Sequence, residues 1–192
     1  MTINSSQTSY YINDSYYAEL IHGLKDWENE AGFASKETHA EVERFLFREA
    51  RLLDEGKMED WLELFNSECL YWIPMVPGGG NPLKEVSLAF DDRRRLEDRI
   101  YRLRTGYAWS QTPASRTIRL LSNIEVWQDG REEQVRVRTN FILNEFRTGR
   151  NKIYSGWYGY RLQKENGDWK ITVKQVNLID CDQGHENLTF IL

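Results

Sequence analysis

The stretch IRLLSNIEVWQDGREEQVRVRTNFIL, Ile118 to Leu143, decides the fold. Apolar and polar residues alternate on both sides of Asp129-Gly130. Ile118, Leu120, Ile124 and Val126 fall on one face of a strand before it, and Val135, Val137, Phe141 and Leu143 on one face of the strand after it. A period of two marks a half-buried strand, because successive side chains point to opposite sides of the pleat. Asp-Gly closes a tight hairpin. Two further alternating segments follow: Ile153 to about Leu162, with Trp157 and Tyr158 on opposite faces, then Trp169 to Ile179, entered through Asn166-Gly167-Asp168. Runs of this kind joined by short turns predict an antiparallel meander. In the last run the apolar parity changes from Trp169, Ile171 and Val173 to Val176 and Leu178, which predicts a bulge between Val173 and Val176 that bends the sheet.

Upstream lies RRRLEDRIYRLRTGYAW, Arg93 to Trp109. Leu96, Ile100 and Leu103 give this helix one narrow apolar stripe, and Arg94/Asp98 and Asp98/Arg102 sit at the i, i+4 spacing that supports helices. A run so charged is ordinarily a solvated face; the alternative is a subunit interface, where Arg and aromatic side chains concentrate. Further upstream, Thr38-His39-Ala40-Glu41 has capping-box spacing, and Val42, Phe45, Leu46, Leu52 and Leu53 recur with helical period until Gly56. Lys57 to Phe65 reads as a second short helix, residues 69–76 as a buried strand ending at its prolines, and Glu85 to Phe90 as a short strand. Residues 1–34 are polar, Tyr-rich and aperiodic, an arm ahead of a single domain over 35–192. Helices followed by a long curved antiparallel sheet make an α+β domain, a half-cone whose concave face is a candidate pocket.

Composition narrows the function. The 192 residues carry a net charge of -5, which argues against nucleic acid or anionic membrane as the main partner. No apolar run is long enough to span a bilayer, and a cytoplasmic location is expected. Cys69 and Cys181, the only cysteines, read as reduced thiols. The 7 Trp and 10 Tyr point to an aromatic-rich interface or a lined cavity.

The GGGNP loop at 78–82 lacks the Lys-Ser/Thr pair of a phosphate cradle. His22, His39 and His185 lack the spacing of a two-His, one-carboxylate iron site, and two cysteines cannot supply a Rieske cluster. Acid–base chemistry by Asp91, Asp92, Tyr71 or Tyr107 survives, although Asp91 and Asp92 are more simply the N-terminal charges of the arginine helix.

Several blocks resemble the small, or β, subunit of aromatic-ring-hydroxylating (Rieske non-haem iron) dioxygenases: FLFREARLLDEGKMEDWLELFNSECLYWIP (Phe45 to Pro74), LEDRIYRLRTGYAW (Leu96 to Trp109), PASRT (Pro113 to Thr117), LLSNIEV (Leu120 to Val126) and the closing ENLTFIL. The resemblance covers about residues 38 to 192. It implies the cone-like fold of nuclear transport factor two and scytalone dehydratase, with no catalytic, cofactor-binding or metal residue in this chain. It also implies a large α partner that holds the Rieske [2Fe-2S] cluster and a mononuclear iron, other β chains in an α3β3 hexamer, and electrons from NAD(P)H through a reductase, sometimes with a ferredoxin. Under that resemblance the arginine helix and the aromatic step after it become an interface carried by Arg102, Arg104, Tyr107, Trp109 and Arg116. The competing reading is a self-contained dehydratase or isomerase that uses a titratable pair inside the cone, such as Tyr71 with Asp91.

Overall fold

The computed structural model describes residues 32–82, 84–105, 111, 113–130, 133–185, 188 and 190–192. Tyr107 and Trp109 lie outside the described residues, as do residues 1–31. Helix α1 spans Lys36–Asp54 and is capped by Ser35, whose Oγ accepts from the Thr38 amide at 3.1 Å. The cap therefore lies one turn before the expected Thr38-to-Glu41 box. Glu41 turns to the sheet instead, 2.7 Å from the Lys164 ammonium and accepting from Trp169 Nε1 at 3.2 Å. Gly56, at φ 70, ends the turn after α1 in a conformation that costs glycine little. Helix α2 is only Met58–Leu62, because Phe65 already opens β1, Phe65–Pro74. Strand β2 (Ser87–Asp91) leads into α3, Arg93–Arg104, capped by the Asp92 carboxylate on the Arg95 amide at 2.9 Å. On α3, Leu96 and Ile100 are buried, and Arg93 pairs with Glu97 at i, i+4.

The remaining chain is the expected meander: β3 Arg116–Gln128, β4 Gln134–Arg147, β5 Arg150–Glu165 and β6 Asp168–Leu178. Asn166 and Gly167 turn β5 into β6 with φ 53 and 86, the left-handed pair that a tight hairpin needs. The six strands lie in the order β2-β1-β6-β5-β4-β3, antiparallel except for β1 beside β6. The three helices fill the concave side, and one hydrophobic core joins them to the inner sheet face through Leu46, Trp61, Ile100, Phe141 and Tyr158. The Phe141 and Tyr158 rings stack 3.9 Å apart.

Two bulges set which residues face inward. On β3 the register shifts between Ser122 and Glu125, where Asn123 adopts φ 51. Ile118 and Leu120 consequently do not share a face with Ile124 and Val126: the first pair is 58% and 62% exposed, while Val126 is buried. On β6 the partners step from Leu162↔Ile171 to Arg161↔Val173, so the extra residue is Thr172, just ahead of the expected position. That step sends Val173 to the outer face, where it packs with Leu70 and Trp72, and carries Lys174 inside.

The open edge of β3 is closed by the segment around α1. The Asp54 carboxylate accepts from the Arg119 amide at 2.8 Å, His39 Nε2 lies 3.1 Å from the Ile124 carbonyl, and the Ala34 amide donates to Val126 at 2.9 Å. An exposed sheet edge is an aggregation template, and this one is spent on side chains and on residues 32–34. At the opposite seam β5 and β6 approach so closely that a Cβ on Gly156 would stand 1.9 Å from the Asn177 carbonyl oxygen. Backbone cannot yield as a side-chain end can, so Gly156→Ala is expected to destabilise the chain by about 3 kcal/mol, the upper end for overpacking. In thermal melts of the purified chain this should read as a drop of roughly 10 °C.

Candidate functional site

Three regions carry chemistry: the interior of the cone, its mouth, and the outer sheet face. Inside, Glu49 on α1 meets Lys174 on β6 at 2.6 Å, with both side chains buried. The same carboxylate accepts from Trp61 Nε1 at 2.9 Å and from the Tyr160 hydroxyl at 3.0 Å. The Lys174 ammonium also lies 4.5 Å from the centre of the Tyr158 ring. Burial lowers the Lys174 pKa while Glu49 opposes the fall, and burial together with Glu49 holds the Tyr160 hydroxyl well above its ordinary range. Every functional group of Glu49 is thus committed to packing partners, and α1 covers it.

At the mouth the last residues of the chain plug the cone. Phe190, Ile191 and Leu192 are buried. The Tyr71 hydroxyl donates to the Leu192 carbonyl at 3.2 Å and accepts from the Leu192 amide at 3.1 Å. Arg119 joins the Asp54 carboxylate to the Ile191 carbonyl. Tyr71 and Asp91 do face each other across β1 and β2, as an acid–base pair would require. Yet Tyr71 is bound to main chain, burial raises its pKa further above the working range, and Asp91 holds Arg99 at 2.6 Å. Tyr71 therefore keeps its proton near neutral pH, and the Asp91 carboxylate is spent on Arg99.

The outer face is different. Cross-strand rows run Ile118–Asn144–Ile153 and Leu120–Ile142–Ser155, with Ile179 beside Ser155. Ile118, Leu120, Ile142, Ile153 and Ile179 are 49% to 77% exposed, and the Asn144 Oδ1 among them has no hydrogen-bond partner. Several exposed aliphatic residues side by side on one sheet face, with a buried acceptor waiting for a donor, are the mark of an interface. Arg116 stands at its corner, over the Phe146 ring at 4.7 Å. Arg102 and Arg104 are exposed at the end of α3, Arg104 with Glu59 at 3.7 Å. The aliphatic patch was missed in the sequence because Ile118 and Leu120 were assigned inward; the run Phe141-Ile142-Leu143, which must present one residue outward, was the available signal.

His39 and His185 are bonded to carbonyls of Ile124 and Asp180, Cys69 and Cys181 are buried, and burial pushes the Cys69 thiol up to about 12. Among the described residues no three His, Cys, Asp or Glu side chains are placed to share an ion, so an iron centre does not fit them. No described helix is long and apolar enough to cross a membrane.

Comparison with known proteins gives the same picture. The small oxygenase component of the p-cumate 2,3-dioxygenase system of Pseudomonas putida is 34% identical over 163 residues, 83% of this chain and 90% of that one. The solved β subunit of benzoate 1,2-dioxygenase from Burkholderia mallei superposes with a TM-score of 0.65 at 26% identity, over 79% of this chain and 96% of its own. A structure assigned as a scytalone dehydratase, from Novosphingobium aromaticivorans, shares the cone at a TM-score of 0.54 and 19% identity, over 72% of this chain and 82% of its own. Residues 48–182 match the ring hydroxylating beta subunit family over its sequence profile. The chain belongs to that family of small subunits of ring-hydroxylating dioxygenases.

Proposed function

We propose that this chain is the non-catalytic β subunit of a dioxygenase that oxidises an aromatic carboxylic acid, and that it assembles through its outer sheet face. A large α subunit carries the Rieske [2Fe-2S] cluster and the mononuclear iron, and electrons arrive from NAD(P)H through a reductase, with or without a ferredoxin. The assembly is an α3β3 hexamer in the cytoplasm. The acid substrate class is supported by relatives that serve p-cumate and benzoate systems. Arg116 borders the apolar patch at the corner of β3, and Arg102, Arg104, Tyr107 and Trp109 keep their place in the interface on sequence grounds. Residues 1–34 act as an arm ahead of the domain at 35–192, with residues 32–34 laid along β3.

The observation that carries this reading is the contrast, among the described residues, between a cone mouth closed by residues 190–192 and an exposed aliphatic outer face. An enzyme working alone on this cone would need the opposite. Expressed with the large-subunit gene from the same operon and purified through a tag on the partner, the chain should co-elute in equal stoichiometry, at a mass of three copies of each. A chain that never binds the partner and stays monomeric in sedimentation overturns the reading.

A further inference from the structure

We propose that the chain's own arm, residues 16–31, crosses the outer sheet face and covers its β1–β6 end, which leaves the aliphatic patch at the β3–β5 end for a partner. The two ends of that face differ in burial. Ile118, Leu120, Ile142 and Ile153 are 49% to 66% exposed, whereas Leu70 and Val173 are at 0% and Trp72 at 1%. Leu70, Trp72 and Val173 form a cluster separate from the cone core, with Phe90 and Trp157 packed against it. The helices belong to the core on the other side of the sheet, and the loop after β1 meets the cluster at Trp72, where a Cβ on Gly79 would stand 3.3 Å from the ring. A sheet face with no layer over it is wet, so a leucine and a valine at zero exposure call for a cover.

The arm starts from the matching row of the sheet. Phe33 bridges Trp127 and stacks on its ring at 5.7 Å, so residue 33 enters on the outer side of β3. From Trp127 the cross-strand partners run Arg136, Arg161, Val173 and Leu70, straight into the buried cluster. Neighbouring strands lie about 4.8 Å apart, which puts Val173 roughly 19 Å and Leu70 roughly 24 Å from Phe33. The chain from Phe33 back to Leu24, fully extended, reaches up to about 30 Å.

Charge and polarity match along the route. Lys25 to Ala31 carries Asp26, Glu28 and Glu30 against Lys25 alone, and it passes over Arg136, Arg138 and Arg161, which outnumber the Glu125 and Asp129 carboxylates beside them. Opposite charge along a path fixes register as well as attracting. Ahead of it Tyr17, Leu20, Ile21 and Leu24 recur at i, i+3, i+4 and i+7, one apolar stripe of a short helix with Tyr16 beside it. That stripe has the mixed aliphatic and aromatic character of the cluster it covers. Because Leu70 and Val173 are buried within a single chain, their cover is this chain's arm and not a second copy or the large subunit. The inference goes beyond assembly through the outer face and does not depend on it.

The test is methyl NMR of the full-length chain, free of any partner. NOEs are expected from the Leu20, Ile21 or Leu24 methyls to those of Leu70 and Val173, and they should persist when labelled chain is diluted into an excess of unlabelled chain, because the contact is made within one chain. Leu20→Asp with Ile21→Asp should release the arm. Hydroxyl-radical footprinting of that variant should then show oxidation of Leu70 and Trp157 raised several-fold, with Ile142 and Ile153 unchanged. Absence of those NOEs, their loss on dilution, or unchanged oxidation at Leu70 and Trp157 overturns the proposal. Should the double variant fail to melt cooperatively, the NOEs of the unaltered chain decide. Failure to bind the large subunit would count against the assembly reading and would leave every one of these signals in place.

Discussion

Replacing Glu49 with Leu is expected to cost the fold about 5 kcal/mol, enough to leave the isolated chain largely unfolded at 37 °C, because breaking a buried ion pair strands its partner and each orphaned buried donor adds its own penalty. The stranded groups are the Lys174 ammonium, the Trp61 indole N–H and the Tyr160 hydroxyl, all of which meet this one carboxylate inside the core. Glu49→Gln keeps an acceptor for the indole or the hydroxyl and should lose roughly half as much. The pH dependence separates this cause from simple mispacking. In the Leu variant nothing opposes the burial that lowers the Lys174 pKa, whereas in the unfolded chain that lysine titrates near 10.4. Between the two values the unfolded state binds the extra proton, so stability rises with pH there. The deficit of Glu49→Leu should therefore shrink between pH 7 and 10 in urea titrations, relative to unaltered protein. A deficit independent of pH would mean that Lys174 finds another partner, and adding Lys174→Met to Glu49→Leu should then restore nothing.

This core charge pair also shows where sequence reading stops. The meander, the Asn166-Gly167 turn and the inward set Val135, Val137, Phe141 and Leu143 were legible because each rests on local chemistry, namely a period of two and turn residues at fixed offsets, whereas the expected tight turn at Asp129-Gly130 is a longer connection between Gln128 and Gln134. Lys174 was not. Its partner lies 125 positions away on α1, and only that carboxylate makes an inward lysine tolerable. The bulge on β6 is expected from the parity change, yet that pattern groups Val173 with Trp169 and Ile171, while in the structure Val173 lies on the outer face and Lys174 inside. On β3 the change is nearly hidden: Ile118, Leu120, Ile124 and Val126 keep one parity with only Ser122 and Leu121 breaking it, while Asn123 turns the strand over. The hydrophobic pattern of a strand with one face in a core and the other in an interface is apolar on both sides, so the pattern does not report a flip. The parallel pairing of β1 with β6 likewise depends on contacts far apart in sequence, which periodicity does not encode. The plugged mouth was hidden for the same reason, since Tyr71 looks like a catalytic hydroxyl until residues 190–192 fold onto it.

The outer face supplies the second large effect. Leu120→Asp with Ile142→Asp places two charges on neighbouring cross-strand positions that are 62% and 49% exposed in the isolated chain. Exposed substitutions of this kind ordinarily change stability by less than about 0.5 kcal/mol each, although the cross-strand like-charge repulsion adds a few tenths. In an assembly that buries this patch, both aspartates would be desolvated without partners, and assembly should weaken by more than about 4 kcal/mol, roughly a thousandfold. The expected result is a variant that melts near the unaltered protein yet runs as a monomer and fails to co-purify with the large subunit. Replacing the anchors proposed from the sequence with Arg104→Ala and Trp109→Ala should weaken assembly by roughly 2–4 kcal/mol, the range of lost interface anchors. Tyr71→Phe provides the opposite control. It removes the hydroxyl that binds the Leu192 main chain, so it should cost about 1–3 kcal/mol of stability, with turnover per assembled complex unchanged. The ordering is the decisive reading: assembly lost at the outer face, reduced by Arg104→Ala with Trp109→Ala, and intact at the cone. A double aspartate that still assembles would remove the outer face from the interface. A Tyr71→Phe complex that assembles but does not turn over would move the chemistry into the cone.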